Sequence, residues 1–134
     1  MESRNYVYYQ PNKKALKDNY GDCQIRCMSK VLNKSWLDTF DSLIPFMREE
    51  QVNGIFNGDL ASRHRIMEKL GFKYSGVSNK RGSKRPTVKE FAGKHKEGTY
   101  VLMVANHVVA CVDGKFYDTW DSGRCCLYGY YEKV

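Results

Sequence analysis

The C-terminal third of the chain is the part whose structure the sequence predicts most directly. Residues 99–120, TYVLMVANHVVACVDGKFYDTW, are rich in valine and aromatic residues and are interrupted by the dipeptide Asp113-Gly114. Such runs favour strands, and an Asp-Gly pair between two of them predicts a two-residue hairpin turn, because both turn positions need a positive φ. We therefore expect an antiparallel hairpin that turns at these two residues.

The predicted turn also sets which residues face one another. With a two-residue turn, Val109 lies opposite Asp118. Side chains alternate along a strand, so His107 and Asp118 become diagonal neighbours on one face, with backbones roughly 7 Å apart. Asp121 then points to the other face, whereas a bulge or a three-residue turn would select Asp121 instead. The simpler register makes Asp118 the carboxylate that orients His107.

Two helices are predicted near the start of the chain. The first begins near Asp22, which suits a helix cap or first turn, and the second follows Ser35, which forms a capping-box pattern with Asp38. Pro45 is expected to kink or end the second helix. Apolar residues recur at helical spacing in both helices and are expected to face a core: Ile25, Met28, Val31 and Leu32 in the first, and Trp36, Leu37, Phe40, Leu43 and Ile44 in the second.

The rest of the chain adds two helices and two strands. After a loop at 51–58 we expect a helix over about 59–70, and a short helix that begins at a second capping box at Thr87. Short strands are expected at residues 6–9 and 125–131. Helices packed on a C-terminal antiparallel sheet define an α+β fold, and residues 1–134 are long enough for a single domain with its own core.

Cys23 is the candidate nucleophile. It lies in the predicted first turn of a helix, where the helix dipole favours a thiolate and the first-turn amides offer a place for an oxyanion. An imidazole held by a carboxylate, as expected for His107 beside Asp118, is the base that such a thiol needs. Cys27 lies one turn further along, where the dipole effect fades. The combination of a cysteine at a helix start with a histidine and an aspartate on paired strands favours a Cys-His-Asp site over a role for Cys23 as a small buried core residue.

The remaining cysteines and histidines favour structural roles. Cys111, Cys125 and Cys126 lie in predicted strands and are assigned to the core. His64 lies in a basic helix, and His95 lies in a segment without a carboxylate-bearing strand partner. An odd count of five cysteines argues for reduced thiols rather than a disulfide framework. Because no Cys-x-x-Cys pair is present, we expect no structural zinc, and we expect no other cofactor.

The positive charge of the chain is concentrated in one region. Residues 73–96 contain eight Lys or Arg residues and one Glu, and so carry the whole net charge of +7. The densest part, SNKRGSKRP at 78–86, is expected to be an exposed loop. It is either a solvated surface or a contact for an acidic partner protein or for phosphates. The basic residues that would make this contact are Lys80, Arg81, Lys84 and Arg85.

Three motifs resemble small papain-like cysteine peptidases, in particular an uncharacterised group found in bacteria and their phages. They are Asp-Cys-x-Ile-Arg opening a helix, a Gly-x-Tyr strand leading to a histidine, and an Asp-Gly-x-x-Tyr-Asp-Thr-Trp-Asp hairpin, and the similarity spans about residues 19–131. The resemblance implies a helix bearing Cys23 packed on a sheet bearing His107 and Asp118, with the substrate cleft between them. It also implies hydrolysis or transfer at an acyl group through a thioester.

The resemblance leaves the oxyanion hole open. Papain-like enzymes usually supply a glutamine some residues before the cysteine, but here that segment is LKDNYGD, so Asn19 and Gln24 are the candidates. The expected function is a thiol hydrolase, a peptidase or isopeptidase, acting on a protein or peptide. Two alternatives remain open. One is a papain-like binding module that blocks a host protein through its basic 73–96 region, and the other is a basic nucleic-acid-binding accessory protein.

The sequence also indicates a compartment. No apolar run approaches the roughly 20 residues of a membrane span, and the first ten residues, MESRNYVYYQ, lack the apolar core of a signal peptide. We therefore expect a cytoplasmic protein without a membrane partner, in the cytoplasm of the host if a phage encodes it.

Overall fold

A computed structural model describes residues 2–17, 22–53, 60–78, 80 and 82–134, and for residues 60–62 the backbone alone. The described helices are α1 (Cys23–Leu32), α2 (Trp36–Val52), α3 (Leu60–Lys69) and α4 (Val88–Lys94). The described strands are β1 (Tyr6–Tyr8), β2 (Phe72–Gly76), β3 (Thr99–Val104), β4 (His107–Val112), β5 (Lys115–Asp118) and β6 (Gly129–Lys133).

The six described strands form one mixed, open sheet in the order β1-β5-β4-β3-β6-β2. The predicted hairpin is β4 and β5, in which Val112 pairs with Lys115. Asp113 and Gly114 have φ values of 50° and 83°, as the two-residue turn requires. The hairpin and its register are therefore confirmed. The named strand pairs are antiparallel, apart from β1, which runs parallel to β5.

The sheet carries a hydrophobic core on each face, because successive strand residues point to opposite sides. Helices α1, α2 and α3 contribute to one core, in which Met28 of α1 belongs to the same cluster as Val101 of β3. Helix α4 contributes to the other, in which Phe91 clusters with Leu102 of β3. The result is an α+β domain in which α1 lies directly on the central strands β3 and β4.

The structure corrects several expectations from the sequence. The sheet is neither purely antiparallel nor purely C-terminal, since β1 forms a parallel edge and β2, which no local pattern predicted, pairs with β6. The last strand begins at Gly129 rather than at residue 125. Pro45 does not end α2, which continues to Val52 because the buried residues Leu43 and Glu50 hold it to the core on both sides of the proline. The first two residues of the expected 51–58 loop are therefore helical.

The apolar face predicted for α2 is buried only in part. Leu43 is buried, whereas Leu37, Phe40 and Ile44 are exposed. Helix α2 packs mainly against α1 and not on the sheet, so only a narrow stripe of the α2 surface is buried. Trp36 stacks on Phe40, with ring centroids 5.5 Å apart, on the side towards the start of α1.

Gly129 of β6 lies against the ring of Tyr74 in β2, which gives a test of this edge of the sheet. A Cβ atom at Gly129 would lie 2.7 Å from Cζ of Tyr74. That ring is itself packed against His64 and Tyr131, at centroid distances of 4.2 and 5.1 Å, so it is not free to move away. We predict that Gly129→Ala lowers the free energy of unfolding by about 1–3 kcal/mol, as overpacking does. Urea denaturation measures this.

Gly76→Ala is the matched control. Gly76 pairs directly with Gly129 across the two strands, but a Cβ atom there would meet nothing closer than 3.8 Å. Equal losses of stability in the two variants would contradict the packing described here.

Candidate active site

Cys23 is the first residue of α1, as the sequence predicted, and is half-buried. Asp22 occupies the N-cap position, but its side chain does not cap the helix. Its carboxylate instead accepts hydrogen bonds from Nε1 of Trp36, at 2.9 Å, and from the Arg26 guanidinium. The first-turn amides of α1 are therefore not occupied by the cap side chain, and the positive end of the helix dipole lies at the Cys23 thiol.

His107 lies at the first position of β4 and contacts both other members of the predicted site. Its Nε2 donates a hydrogen bond to Oδ2 of Asp118 at 2.7 Å, which confirms the diagonal arrangement predicted from the hairpin. The His107 side chain also interacts with Cys23: each of the two groups shifts the pKa of the other, and both line the same cleft. Because Nε2 is bonded to Asp118, Nδ1 is the nitrogen that remains for the sulfur. The ring of Trp120 packs beside the imidazole, with centroids 5.3 Å apart.

Asp118 is held on several sides. It is 3% exposed, and its carboxylate accepts hydrogen bonds from the amide of Thr119 and the hydroxyl of Ser122, both at 2.8 Å. A guanidinium nitrogen of Arg26 lies 3.4 Å from Oδ1. A buried carboxylate with these donors is fixed in place, so the imidazole bonded to it is fixed in orientation and tautomer.

Asp121 has a different role. Its carboxylate accepts hydrogen bonds from the backbone amides of Ser3, at 2.6 Å, and Gly123, at 3.0 Å. It therefore attaches the N-terminal segment to the end of the hairpin, and Asp118 is the carboxylate that reaches His107.

The pKa of the Cys23 thiol is lowered and the pKa of the His107 imidazole is raised, so the charged form of each group is favoured. Burial raises the pKa of the Cys23 thiol, but interactions with the His107 side chain and the Val108 backbone, with the charges of His107 and Arg26, outweigh burial and lower the pKa overall. Burial alone would lower the pKa of His107, but the hydrogen bond with Asp118 and the interaction with Cys23 raise it to about 9. The arrangement therefore favours a thiolate–imidazolium pair, the form in which the sulfur attacks.

A cleft of about 450 Å³ opens over this pair, which is within the usual range for ligand sites. Cys23 and His107 both line it, and so does Gln24, one of the two oxyanion candidates, whose side chain is exposed. Asn19, the other candidate, lies outside the described residues. Arg63 of α3 and Tyr128 form further parts of the wall.

The remaining thiols and imidazoles of the described chain lie elsewhere. Cys27 and Cys111 are buried, and burial raises the pKa of both thiols. Cys126, expected in the core, is exposed because it lies in an extended segment before β6 and not inside the sheet; Cys125 beside it is only half-buried. His64 and His95 are hydrogen-bonded to the Tyr131 hydroxyl and the Phe91 carbonyl. Nowhere in the described ranges do three His, Cys, Asp or Glu residues gather as a metal site would require.

The basic loop differs in part from the expectation that it is wholly exposed. Lys80 is exposed, and Lys84 is exposed with its ammonium 4.0 Å from Glu90. Arg85 is half-buried and stacks on the ring of Tyr128, 4.6 Å from its centroid. Arg81 lies outside the described residues. The loop therefore touches the wall of the cleft through Arg85.

Arg26 is the residue of the site that the sequence did not reveal. It is 5% exposed and joins Asp22 at the start of α1 to Asp118 at the end of β5. The spacing of Asp22 and Arg26, i and i+4 on a helix, is a sequence signal for the first of these ion pairs. No local pattern indicates the second, whose partners are 92 residues apart.

Comparisons of the chain with protein-family models, with curated proteins and with solved structures find no match. Within the described residues, no helix combines the length and the apolar character that a membrane crossing needs.

The buried Arg26 network yields a stability prediction. Arg26→Gln removes the guanidinium that two carboxylates, Asp22 and Asp118, share, and we expect it to lower the free energy of unfolding by about 3 kcal/mol. Asp22→Asn in the same chain should recover part of that loss, because one of the two charges is then gone. Denaturant unfolding of the two single variants and the double variant measures the coupling.

Lys69→Gln is the control, since Lys69 forms an exposed ion pair with Glu49 at 3.2 Å and should cost no more than about 1 kcal/mol. An Arg26→Gln variant no less stable than this control would show that the bridge does not hold the site together.

Proposed function

We propose that this protein is a papain-like thiol hydrolase that cleaves a peptide or isopeptide bond with Cys23, His107 and Asp118. The observation that carries the proposal is that one imidazole, His107, is hydrogen-bonded to Asp118 and shares a cleft with Cys23, a thiol whose pKa it lowers. The position of Cys23 at the start of a helix packed on the strands that bear His107 supports the papain-like assignment.

The proposed reaction proceeds in two halves. The Cys23 thiolate attacks the carbonyl carbon and forms a C–S bond, and His107 then donates its Nδ1 proton to the leaving amine as the C–N bond breaks. In the second half, His107 takes a proton from water, the water oxygen attacks the thioester carbonyl, and the C–S bond breaks to return the thiolate. Asp118 holds the imidazole in the tautomer and orientation that both halves need.

The oxyanion that forms at the carbonyl needs donors near the sulfur. The amides of the first turn of α1 supply them in this proposal, with the Gln24 side chain as a second donor from the same helix. These donors and the nucleophile all belong to the first turn of α1. One helix therefore positions both the attacking sulfur and the site for the oxyanion.

The nucleophile is tested by replacing it. Cys23→Ala should abolish hydrolysis of a pooled peptide library and remove selective labelling by iodoacetamide at about pH 6. It should leave the melting temperature nearly unchanged, because a half-buried thiol at the edge of a cleft contributes little packing. Cys126→Ala removes an exposed thiol that does not line the cleft and is the matched control.

A wild-type protein that cleaves no peptide, and whose Cys23 is labelled no faster than Cys126, would contradict the proposal. The binding-module alternative would then be favoured, because it needs the fold and the basic region but not the thiolate.

The orienting carboxylate is tested by two amide substitutions. Asp118→Asn keeps one hydrogen-bonding oxygen for His107, and Cys-His-Asn sites are known to work, so activity should fall only partly. The charge of Asp118 helps to raise the His107 pKa, so its removal should also move the alkaline limb of the activity profile to lower pH. Steady-state kinetics across pH measure both effects.

Asp121→Asn should change activity less, because Asp121 bonds to Ser3 and Gly123 and not to His107. If Asp121→Asn were the more damaging of the two, Asp118 would not be the orienting residue.

A further inference from the structure

The charges on the wall of the cleft are unbalanced. Among the described residues that line it, Arg63 is the one with a permanent charge, and none is acidic. Within the described part of the chain the Arg63 side chain makes neither an ion pair nor a hydrogen bond, although it is half-buried on α3. A guanidinium that has no such partner and lines the same cleft as the Cys23 thiol is suited to bind an anion that enters the cleft.

The part of the wall formed by Tyr128 adds to the same positive electrostatic field. Tyr128 lines the cleft and is 47% exposed, and the Arg85 guanidinium stacks on its ring. One nitrogen of that guanidinium, Nη1, is buried and has no hydrogen-bond partner among the described residues. One arginine therefore lines the cleft and a second stacks on a residue of its wall, so a substrate group of negative charge is attracted there more strongly than a neutral one.

We propose that Arg63 determines substrate specificity by binding a carboxylate next to the scissile acyl group. The inference rests on the proposed thiol hydrolase and names its substrate class: peptides with an acidic residue, or a free C-terminal carboxylate, beside the bond that is cleaved. A planar guanidinium binds a carboxylate through two parallel hydrogen bonds, which orients the substrate as well as attracting it.

Two alkylating reagents that differ in charge test the first part. Iodoacetate and iodoacetamide both react with the Cys23 thiolate by forming a C–S bond and releasing iodide, but only iodoacetate carries a carboxylate. We expect Arg63→Gln to lower the ratio of their rates at Cys23 by roughly threefold to tenfold, Arg63→Lys to lower it less, and added salt to shrink the difference. Comparison of variants is needed because the His107 imidazolium also attracts the anion in every variant.

Arg48→Gln is the control. It makes the same change of charge on an exposed residue of α2 that lies outside the cleft, and should leave the ratio as it is in the wild type. Mass spectrometry of the labelled peptide containing Cys23 gives both rates.

Three short peptides distinguish the two sources of the carboxylate. Ac-Gly-Glu-Gly-NH2, Ac-Gly-Gln-Gly-NH2 and Ac-Gly-Gln-Gly-OH carry a side-chain carboxylate, none, and a terminal one, and each is added as a protector of Cys23 against iodoacetamide. The proposal is supported if either anionic peptide protects Cys23 better than the neutral peptide does. This additional protection should be lost in Arg63→Gln. The more effective of the two identifies the source.

Two outcomes overturn it, and they are distinguishable from failure of the proposed function. A ratio of rates that is the same in wild type, Arg63→Gln and Arg48→Gln, or equal protection by all three peptides, rejects the role of Arg63 while Cys23 remains selectively reactive. If Cys23 itself shows no selective reactivity, the thiol-hydrolase proposal fails, and this inference fails with it.

Discussion

The burial of the Asp118 carboxylate is the constraint on which the site depends. A carboxylate that is 3% exposed is tolerated only when hydrogen bonds and opposite charge replace the water it has lost. Here those partners come from separate parts of the fold: His107 from the neighbouring strand, Arg26 from α1, and Ser122 from the segment after β5. Satisfying one buried charge therefore fixes α1 against the sheet, and with it the position of Cys23 relative to the imidazole.

The part of this arrangement that depends on local chemistry could be predicted from the sequence. The Asp113-Gly114 turn needs positive φ at two consecutive positions, so it fixes the register of β4 against β5, and the register makes His107 and Asp118 neighbours. The start of α1 at Cys23 follows from the apolar spacing behind it. The choice of Asp118 over Asp121 needed only the alternation of side chains along a strand.

The rest depends on contacts between residues far apart in the sequence. The parallel pairing of β1 with β5 and the pairing of β2 with β6 have no short-range signal. The apolar spacing of α2 correctly predicts a helix. It does not predict how little of that helix α1 covers, and for this reason Phe40 is exposed. Arg26 looked like an ordinary helical arginine because its second partner, Asp118, lies 92 residues away. Cys126 was placed in the core because the start of β6 was predicted too early.

The protonation state of the Cys23–His107 pair is the central claim, and titration of the thiolate by its ultraviolet absorbance tests it most directly. The difference between wild type and Cys23→Ala should show thiolate appearing as pH rises through a value below the ordinary cysteine range, since His107 and the Val108 amide lower the Cys23 pKa. The imidazolium should persist until pH rises through about 9, as followed by NMR of His107. A Cys23 thiolate that appears only at or above the ordinary cysteine pKa, with a His107 ring that is neutral at pH 7, would contradict the account.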